Sequence, residues 1–302
     1  MDYQGFKERL YGEMQRQYGE LAEISEHWGE KGNGCGYDGI IVRKKTAGKG
    51  MTASAEQSVS VAPVVPVEPF YEAYKTGRMG VTECSEAVWQ LVGEAEENLP
   101  DVGKLCSWEE VRGQVYPMLI SAEKDKGILS TLVTDRFLDL SVIYIIRMDG
   151  GIIRLTEEML ERYGADREGL KRYAMENLKK DGYRFSDLVE KLAPFSTEIR
   201  AQKAELDDKA QLYVLTNTSG MFGAAGLLNL EMVQEFASGK DFYILPSSIH
   251  EVLFWEADGS MGSEALSGMV REVNEQSVMK EEQLSEHCYF YDGKSGEIRI
   301  CA

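Results

Sequence analysis

The sequence predicts an α+β protein, with antiparallel or mixed sheets, flanking helices and two lobes. Three observations lead there. Hairpin signals outnumber β-α-β units; the clearest are Gly32-Asn33-Gly34, Asp149-Gly150-Gly151 and the loop Asp292–Gly296. Helical stripes with a 3.6-residue period recur between the hairpins. A chain of 302 residues is long enough for one large core or two smaller ones. The lobes are expected over residues 1–104 and 105–302.

The elements follow in order. Phe6, Leu10, Met14 and Tyr18 fall at steps of four and predict an amphipathic helix over about Tyr3–Leu21. Gly32-Asn33-Gly34 separates a strand near Ile24–Trp28 from one at Tyr37–Lys45. Thr46–Ser58 is rich in small residues and reads as a loop. Its Gly48-Lys49-Gly50 lacks the full phosphate-loop pattern. Val59–Val67 has strand valines, but Pro63 and Pro66 cannot donate to a ladder, so an edge is expected. Helices follow over Glu68–Lys75 and Thr82–Glu97. Ser107 and Glu110 have capping-box spacing and start a new helix.

Tyr116–Ala122 reads as a strand. Phe137–Ile146 is the most apolar run and reads as one central strand. Ile152–Leu155 returns after the Asp149–Gly151 turn. Thr156 caps a short helix. Gly169–Lys180 is another helix, with Leu170, Tyr173, Ala174, Asn177 and Leu178 on one stripe. Asp181–Asp208 is mixed helix and loop. Gln211–Thr216 and Phe242–Leu245 are strands, and Leu230–Ala237 is a helix. Gly220–Gly226 is a small-residue patch that packs closely; its spacing is not the dinucleotide fingerprint. Ser263–Gln276 is a helix expected to turn Leu266, Met269, Val270 and Val273 inward. Cys288–Tyr291 and Glu297–Cys301 form the last hairpin.

Composition narrows the function classes. Lys and Arg total 33 and Asp and Glu total 51, a net charge of 33 − 51 = −18. Such a field repels phosphate backbones and anionic lipid, which argues against direct nucleic-acid or membrane binding and favours basic protein partners. A DNA mimic is the sharper form of that reading. The five cysteines are scattered without a C-x-x-C pair, so free thiols in a reducing cytoplasm are expected. No apolar signal core opens the chain, and no run approaches the ~20 residues of a membrane span. Val142–Ile146 ends at Arg147.

The most informative stretch is Asp241–Trp255. Two apolar runs flank Pro246-Ser247-Ser248-Ile249-His250-Glu251, and polar groups placed between buried runs must find partners. Two readings compete. In the catalytic one, His250 is a general base for Ser247 or Ser248, and Glu251 or Asp139 orients the ring. Ser248 and His250 face the same way if a strand runs through them. The G-x-S-x-G elbow is missing. In the structural one, Ser248 caps a helical turn and Glu251 reaches back to it. The structural reading is preferred. Asp139, between Leu138 and Leu140, is expected to pair with Arg136 or a backbone N–H. Asn217 is a turn residue first and a ligand-binding residue second. Asn177 is expected to tie its helix to a neighbouring segment. A metal site joining Glu251 and His250 to Glu286 and His287 is the weakest option, because His27, His250 and His287 lack ligand spacing.

Several segments together resemble an uncharacterised family from Gram-positive, mainly clostridial, bacteria, known only as a domain of unknown function. They are Val61-Ala-Pro63 with Pro69–Tyr74, Arg136–Leu140, Ala174–Leu178, Tyr213–Asn217 with Phe222–Ala225, Ile244–Val252, and Met269–Asn274. The specific piece is Leu245-Pro-Ser-Ser-Ile-His-Glu-Val252. The second half is distantly similar to the YtpQ-like proteins of bacilli, where the turn is followed by Arg-Asp; here Ser248-Ile249-His250-Glu251 stands instead. The resemblance implies a cytoplasmic bacterial or mobile-element setting and no assigned chemistry. The expected function is a non-catalytic module binding another protein, in the first instance a basic one, through Ser247, Ser248, His250, Glu251 and Asn217, with no cofactor and no metal. The alternatives are a hydrolase-like enzyme using Ser248, His250 and Asp139, and a small-ligand sensor near Asn217.

Overall fold

The computed structural model describes residues 1–45, 63–97, 107–148, 151–192 and 212–301. The expected loop Thr46–Ser58, most of Asp181–Asp208 and the first two residues of the Asp149–Gly151 turn lie outside them. The architecture is α+β, with helices beside antiparallel sheets. The chain divides into two compact units. One comprises Met1–Lys31, Cys35–Cys106 and Met148–Gly151; the other comprises Gly32–Gly34, Ser107–Arg147 and Ile152–Ala302.

The first unit begins with helix α1 (Tyr3–Tyr18), whose Asp2 side chain accepts the Gly5 N–H at 3.0 Å. That satisfies one of the donors a helix start leaves open. Phe6, Leu10 and Met14 are fully buried, as the four-residue step requires. They pack on Ala22 and Ile24 of β1 (Ala22–Glu30), Ile40 and Val42 of β2 (Gly36–Lys44), and Val65 of β3 (Val64–Pro66). Each of these side chains larger than alanine contributes about 1.5–3 kcal/mol of burial. Helices α2 (Glu68–Lys75) and α3 (Val81–Glu97) complete the core through Phe70, Cys84, Val88 and Val92. The sheet order is β1-β2-β3, so the proline-bearing β3 occupies one edge and β1 the other.

The second unit contains two sheets. In one, β6 (Leu140–Met148) pairs with β4 (Val115–Ser121), β5 (Thr134–Phe137) and β7 (Gly151–Arg154). The apolar run from Phe137 is therefore not one strand. Phe137 and Leu140 pair across a two-residue turn, with Leu138 at φ +56°. Hydrophobicity alone does not register a reversal whose turn residues are themselves a leucine and an aspartate. Helix α4 (Trp108–Val111) starts at Ser107, whose N–H donates to Glu110 Oε2 at 3.1 Å. Helix α5 spans Lys126–Leu129. Thr156 caps α6 (Glu157–Arg162), and Asp166 caps α7 (Arg167–Lys180). The α7 stripe buries Leu170, Ala174, Asn177 and Leu178. Asn177 Nδ2 donates to the carbonyls of Arg112 and Val115, at 2.8 and 2.9 Å.

The other sheet has the order β13-β12-β10-β11-β9-β8 and is antiparallel throughout. Its strands are β8 (Arg184–Asp187), β9 (Leu212–Thr216), β10 (Phe242–Leu245), β11 (Val252–Glu256), β12 (Tyr289–Tyr291) and β13 (Ile298–Ile300). β8 falls in the segment read as helix and loop, and leads into α8 (Leu188–Leu192). Helix α9 (Leu230–Ala237) is capped by the Asn229 side chain. Helix α10 (Ser263–Gln276) buries Leu266, Val270 and Asn274, while Met269 and Val273 remain exposed. The expected inner face is thus narrower and includes an amide, because Asn274 Nδ2 donates to the Ser285 carbonyl at 2.8 Å.

Candidate functional site

The connector between β10 and β11 holds Pro246–Glu251. Leu245 pairs with Leu253, so these residues leave the sheet as a loop at its end. Two neighbouring segments receive them. On one side, Ile249 N–H donates to the Glu282 carbonyl at 2.9 Å. Leu284 N–H donates to the Ser247 carbonyl at 3.0 Å and Ser285 N–H to the Pro246 carbonyl at 2.9 Å. On the other side, Ala224 N–H donates to the Ile249 carbonyl at 3.1 Å, and Thr216 Oγ1 donates to the His250 carbonyl at 3.0 Å. Gly223 permits this approach: a Cβ there would stand 2.4 Å from the His250 carbonyl oxygen and 2.4 Å from Thr216 Oγ1.

The side chains are spent in the same way. Ser248 Oγ accepts the backbone N–H of His250 at 3.1 Å, a turn closed over two residues. His250 Nδ1 accepts the Phe222 N–H at 3.2 Å, and Phe222 itself sits at φ +56° with its ring stacked near the imidazole. An acceptor at Nδ1 places the ring proton on Nε2, which faces Glu282 Oε1 at 3.3 Å. The imidazole is 27% exposed. Among the described residues it makes no hydrogen bond with Ser247 or Ser248. Glu251 does not return to Ser248 in a capping box, and no helical turn forms; its carboxylate meets Lys191 Nζ at 2.7 Å. Ser247 contributes its backbone carbonyl.

Asp139 stands in the β5–β6 turn. Its Oδ1 accepts the Tyr289 hydroxyl at 2.5 Å and its Oδ2 the Ser285 hydroxyl at 2.7 Å. Arg136, the expected partner, donates instead to the Leu138 carbonyl at 2.9 Å. Burial, reinforced by the Asp139 charge, pushes the Tyr289 phenol far above its ordinary range. Ser285 also accepts the His287 N–H at 3.0 Å. Of the three Ser-x-His segments in the chain, Ser25–His27 lies in strand β1, while Ser248–His250 and Ser285–His287 close the same local turn, in which the serine oxygen accepts a backbone N–H.

Asn217 is buried at the end of β9. Its Nδ2 donates to Asp181 Oδ2 at 2.8 Å and to the Met221 carbonyl at 2.9 Å, and its Oδ1 accepts from Ser219 at 3.0 Å. Asp181 Oδ1 meets Arg147 Nη1 at 2.6 Å, and the guanidinium lies 3.9 Å above the Tyr116 ring. Arg147 Nη2 and the Tyr183 hydroxyl are buried here and, among the described residues, make no well-formed hydrogen bond, although the Tyr183 hydroxyl lies near the Arg147 and Asn217 side chains. Burial pushes the Tyr183 phenol upward.

The two carboxylates suggested for a metal are engaged with lysines. Glu286 meets Lys124 at 2.9 Å, which holds its carboxyl below the usual range, and Glu251 meets Lys191. Among the described residues no three His, Cys, Asp or Glu side chains gather as a metal site. No helix among them is long and apolar enough to cross a membrane.

Sequence reasoning missed Glu282, Phe222, Lys191, Ser285 and Tyr289. All but Phe222 lie at least 30 residues from the group they bond, so no local pattern announces them. The Ser285-x-His287 echo of Ser248-x-His250 was the available signal.

Residues 3–293 match the profile of a family of unknown function, DUF5688. The chain belongs to this family. The match covers both the connector and the Asp139–Tyr289 contact, so the family frame contains every group described above. No curated protein and no solved structure matches the chain.

Proposed function

We propose that this member of the DUF5688 family is a non-catalytic, cytoplasmic bacterial module that binds another protein, a basic one. The observation that carries the reading is the engagement of Ser248 and His250 in the β10–β11 connector. The serine oxygen and the imidazole Nδ1 each hold a backbone N–H, so nucleophile and base are not poised against each other. The net charge of −18 selects the partner class, since an acidic surface attracts cations at long range. A DNA mimic is the special case in which those carboxylates line up as a phosphate backbone does.

The test is affinity capture from the native host with the full chain as bait, at low and high salt, beside labelling with a serine-directed phosphonate probe. A basic protein retained at low salt and released at high salt supports the reading. Labelling of Ser247 or Ser248 overturns it in favour of the hydrolase with Ser248, His250 and Asp139.

One observation favours a second reading, a small-ligand sensor at Asn217. Among the described residues, Arg147 Nη2 and the Tyr183 hydroxyl are buried beside it with no well-formed hydrogen bond. A small carboxylate would supply one. A rise in unfolding temperature with a carboxylate, lost in Arg147→Met, is the expected sign.

A further inference from the structure

We infer that the outer edge of β1 at Glu26–Trp28 accepts an extended basic segment of the partner as an added strand. This rests on the protein-binding reading and says where and how the partner docks.

The phase of the hairpin comes first. Lys31 N–H donates to the Cys35 carbonyl at its closed end, and Lys45 N–H to the Leu21 carbonyl at its open end. Hydrogen-bonded pairs alternate along an antiparallel ladder. The odd-numbered residues of β1 therefore turn their backbone groups toward β2, and the even-numbered ones turn theirs outward. Ile24 confirms the phase: its carbonyl accepts from Tyr11 at 3.0 Å and Gln15 at 2.9 Å, both on α1. The helix thus takes up outward backbone groups only as far as Ile24, while its Lys7 reaches on to the Glu26 carboxylate at 3.5 Å. Beyond it, the N–H and C=O of Glu26 and Trp28 have no partner among the described residues. No proline, lysine or bulge protects this stretch, although those are the usual guards of a free edge.

The side chains specify the occupant. Trp28 is 67% exposed. Its ring packs against Gly36, where a Cβ would stand 2.7 Å from the indole, and the rest of the side chain is largely open to solvent. Glu26 and Glu30 lie on the same face of the strand, on either side of Trp28. The Glu26 side chain is 51% exposed. β1 carries Glu23, Glu26 and Glu30 and no Lys or Arg. An exposed indole on a strand without Lys or Arg, in a chain of net charge −18, suits a guanidinium or ammonium held over the ring. An incoming strand bonds Glu26 and Trp28 through its main chain, and its alternate side chains fall on that face. A second copy of this chain brings the same three glutamates to the same edge, and like charges set opposite one another are unfavourable.

The experiment uses the full chain and a synthetic peptide of about eight alternating Arg and Thr residues, a usual strand length, beside the same peptide with Glu for Arg. Titration calorimetry is expected to show salt-sensitive binding of the Arg peptide alone. Glu26→Pro removes an outward N–H and no ladder bond, and is expected to abolish binding while leaving the unfolding midpoint close to that of the parent. Trp28→Ala is expected to weaken binding about tenfold. Amide exchange on the parent chain should slow at Glu26 and Trp28 when the Arg peptide is added. The inference is overturned by undiminished binding to Glu26→Pro, by unchanged exchange at those two amides, or by a dimer that forms through β1 instead. In those cases a basic protein captured from the host still upholds the broader reading. If neither peptide nor host protein binds, both fall.

Discussion

The β10–β11 connector and the outer edge of β1 are both polar stretches beside apolar ones, and they handle their polar groups in opposite ways. In the connector, the Ser247 carbonyl, the Ile249 and His250 backbone groups, the Ser248 hydroxyl and the His250 ring are all matched by neighbours from residues 216–224 and 282–285 or by one another. At the β1 edge, the outward backbone groups of Glu26 and Trp28 have no partner among the described residues, and a large indole is exposed. Residue type did not forecast this. Serine, histidine and glutamate look like chemistry, yet here they fasten; a strand of glutamates around a tryptophan looks like surface, yet it has the unspent hydrogen bonds. Whether a polar group is available depends on its partners, and partners are a tertiary fact.

The contrast can be broken or sharpened by measurement. The largest effect is expected from Gly223→Ala. The new methyl meets the His250 carbonyl and Thr216 Cα, both backbone atoms that cannot swing aside, so urea unfolding should show a loss of about 3 kcal/mol. A loss under about 0.5 kcal/mol would mean the connector is loosely held.

Tyr289→Phe comes next. It strips one donor from Asp139 and should cost about 1–3 kcal/mol near neutral pH. The phenol also sets an alkaline limit. Its folded pKa is raised, so its contribution is complete below the unfolded value of about 10 and is lost as pH rises above it. The unfolded chain then holds fewer protons than the folded one, and stability falls with pH. Tyr144, raised by burial and by its bond to Asp135, adds to the same slope. The fall above about pH 10 should be shallower in Tyr289→Phe than in the parent.

His250→Ala leaves the Phe222 N–H without its acceptor and is expected to cost about 1–2 kcal/mol. An imidazole whose removal costs nothing in stability, but which titrates with a chemical reaction, would return the connector to the enzyme reading. The smallest effect belongs to the other region. Trp28→Ala should change stability by about 0.5 kcal/mol or less, because most of the ring faces solvent.

Much of the fold was legible residue by residue. The four-residue step of Phe6, Leu10 and Met14 placed α1, Ser107 and Glu110 placed α4, and the valines between Pro63 and Pro66 placed an edge strand. Each is a local rule acting over one or two turns. The misreadings have local causes as well. The Phe137–Ile146 run hid a reversal because Leu138 takes a left-handed conformation that its residue type does not advertise. Met269 and Val273 were expected inward because they are apolar, whereas the helix turned Asn274 in to meet Ser285. At the candidate site, the segment 246–251 was found by its polarity, and its role as a fastening was the preferred expectation. The bonds that do the fastening were not foreseen, since Glu282 and Thr216 are each more than 30 residues from the histidine they serve.

By itself, then, the sequence determined the periodic elements, the antiparallel bias and the strongly negative field. These depend on side-chain spacing and on a sum of charges, and neither requires knowing what lies across the fold. Tertiary structure alone decided that Asp139 would meet Tyr289, that His250 would hold the Phe222 amide, and that Trp28 would face water at an uncapped edge. Hydrogen bonds reach only about 3 Å, and which groups come within that reach is settled by how distant segments pack.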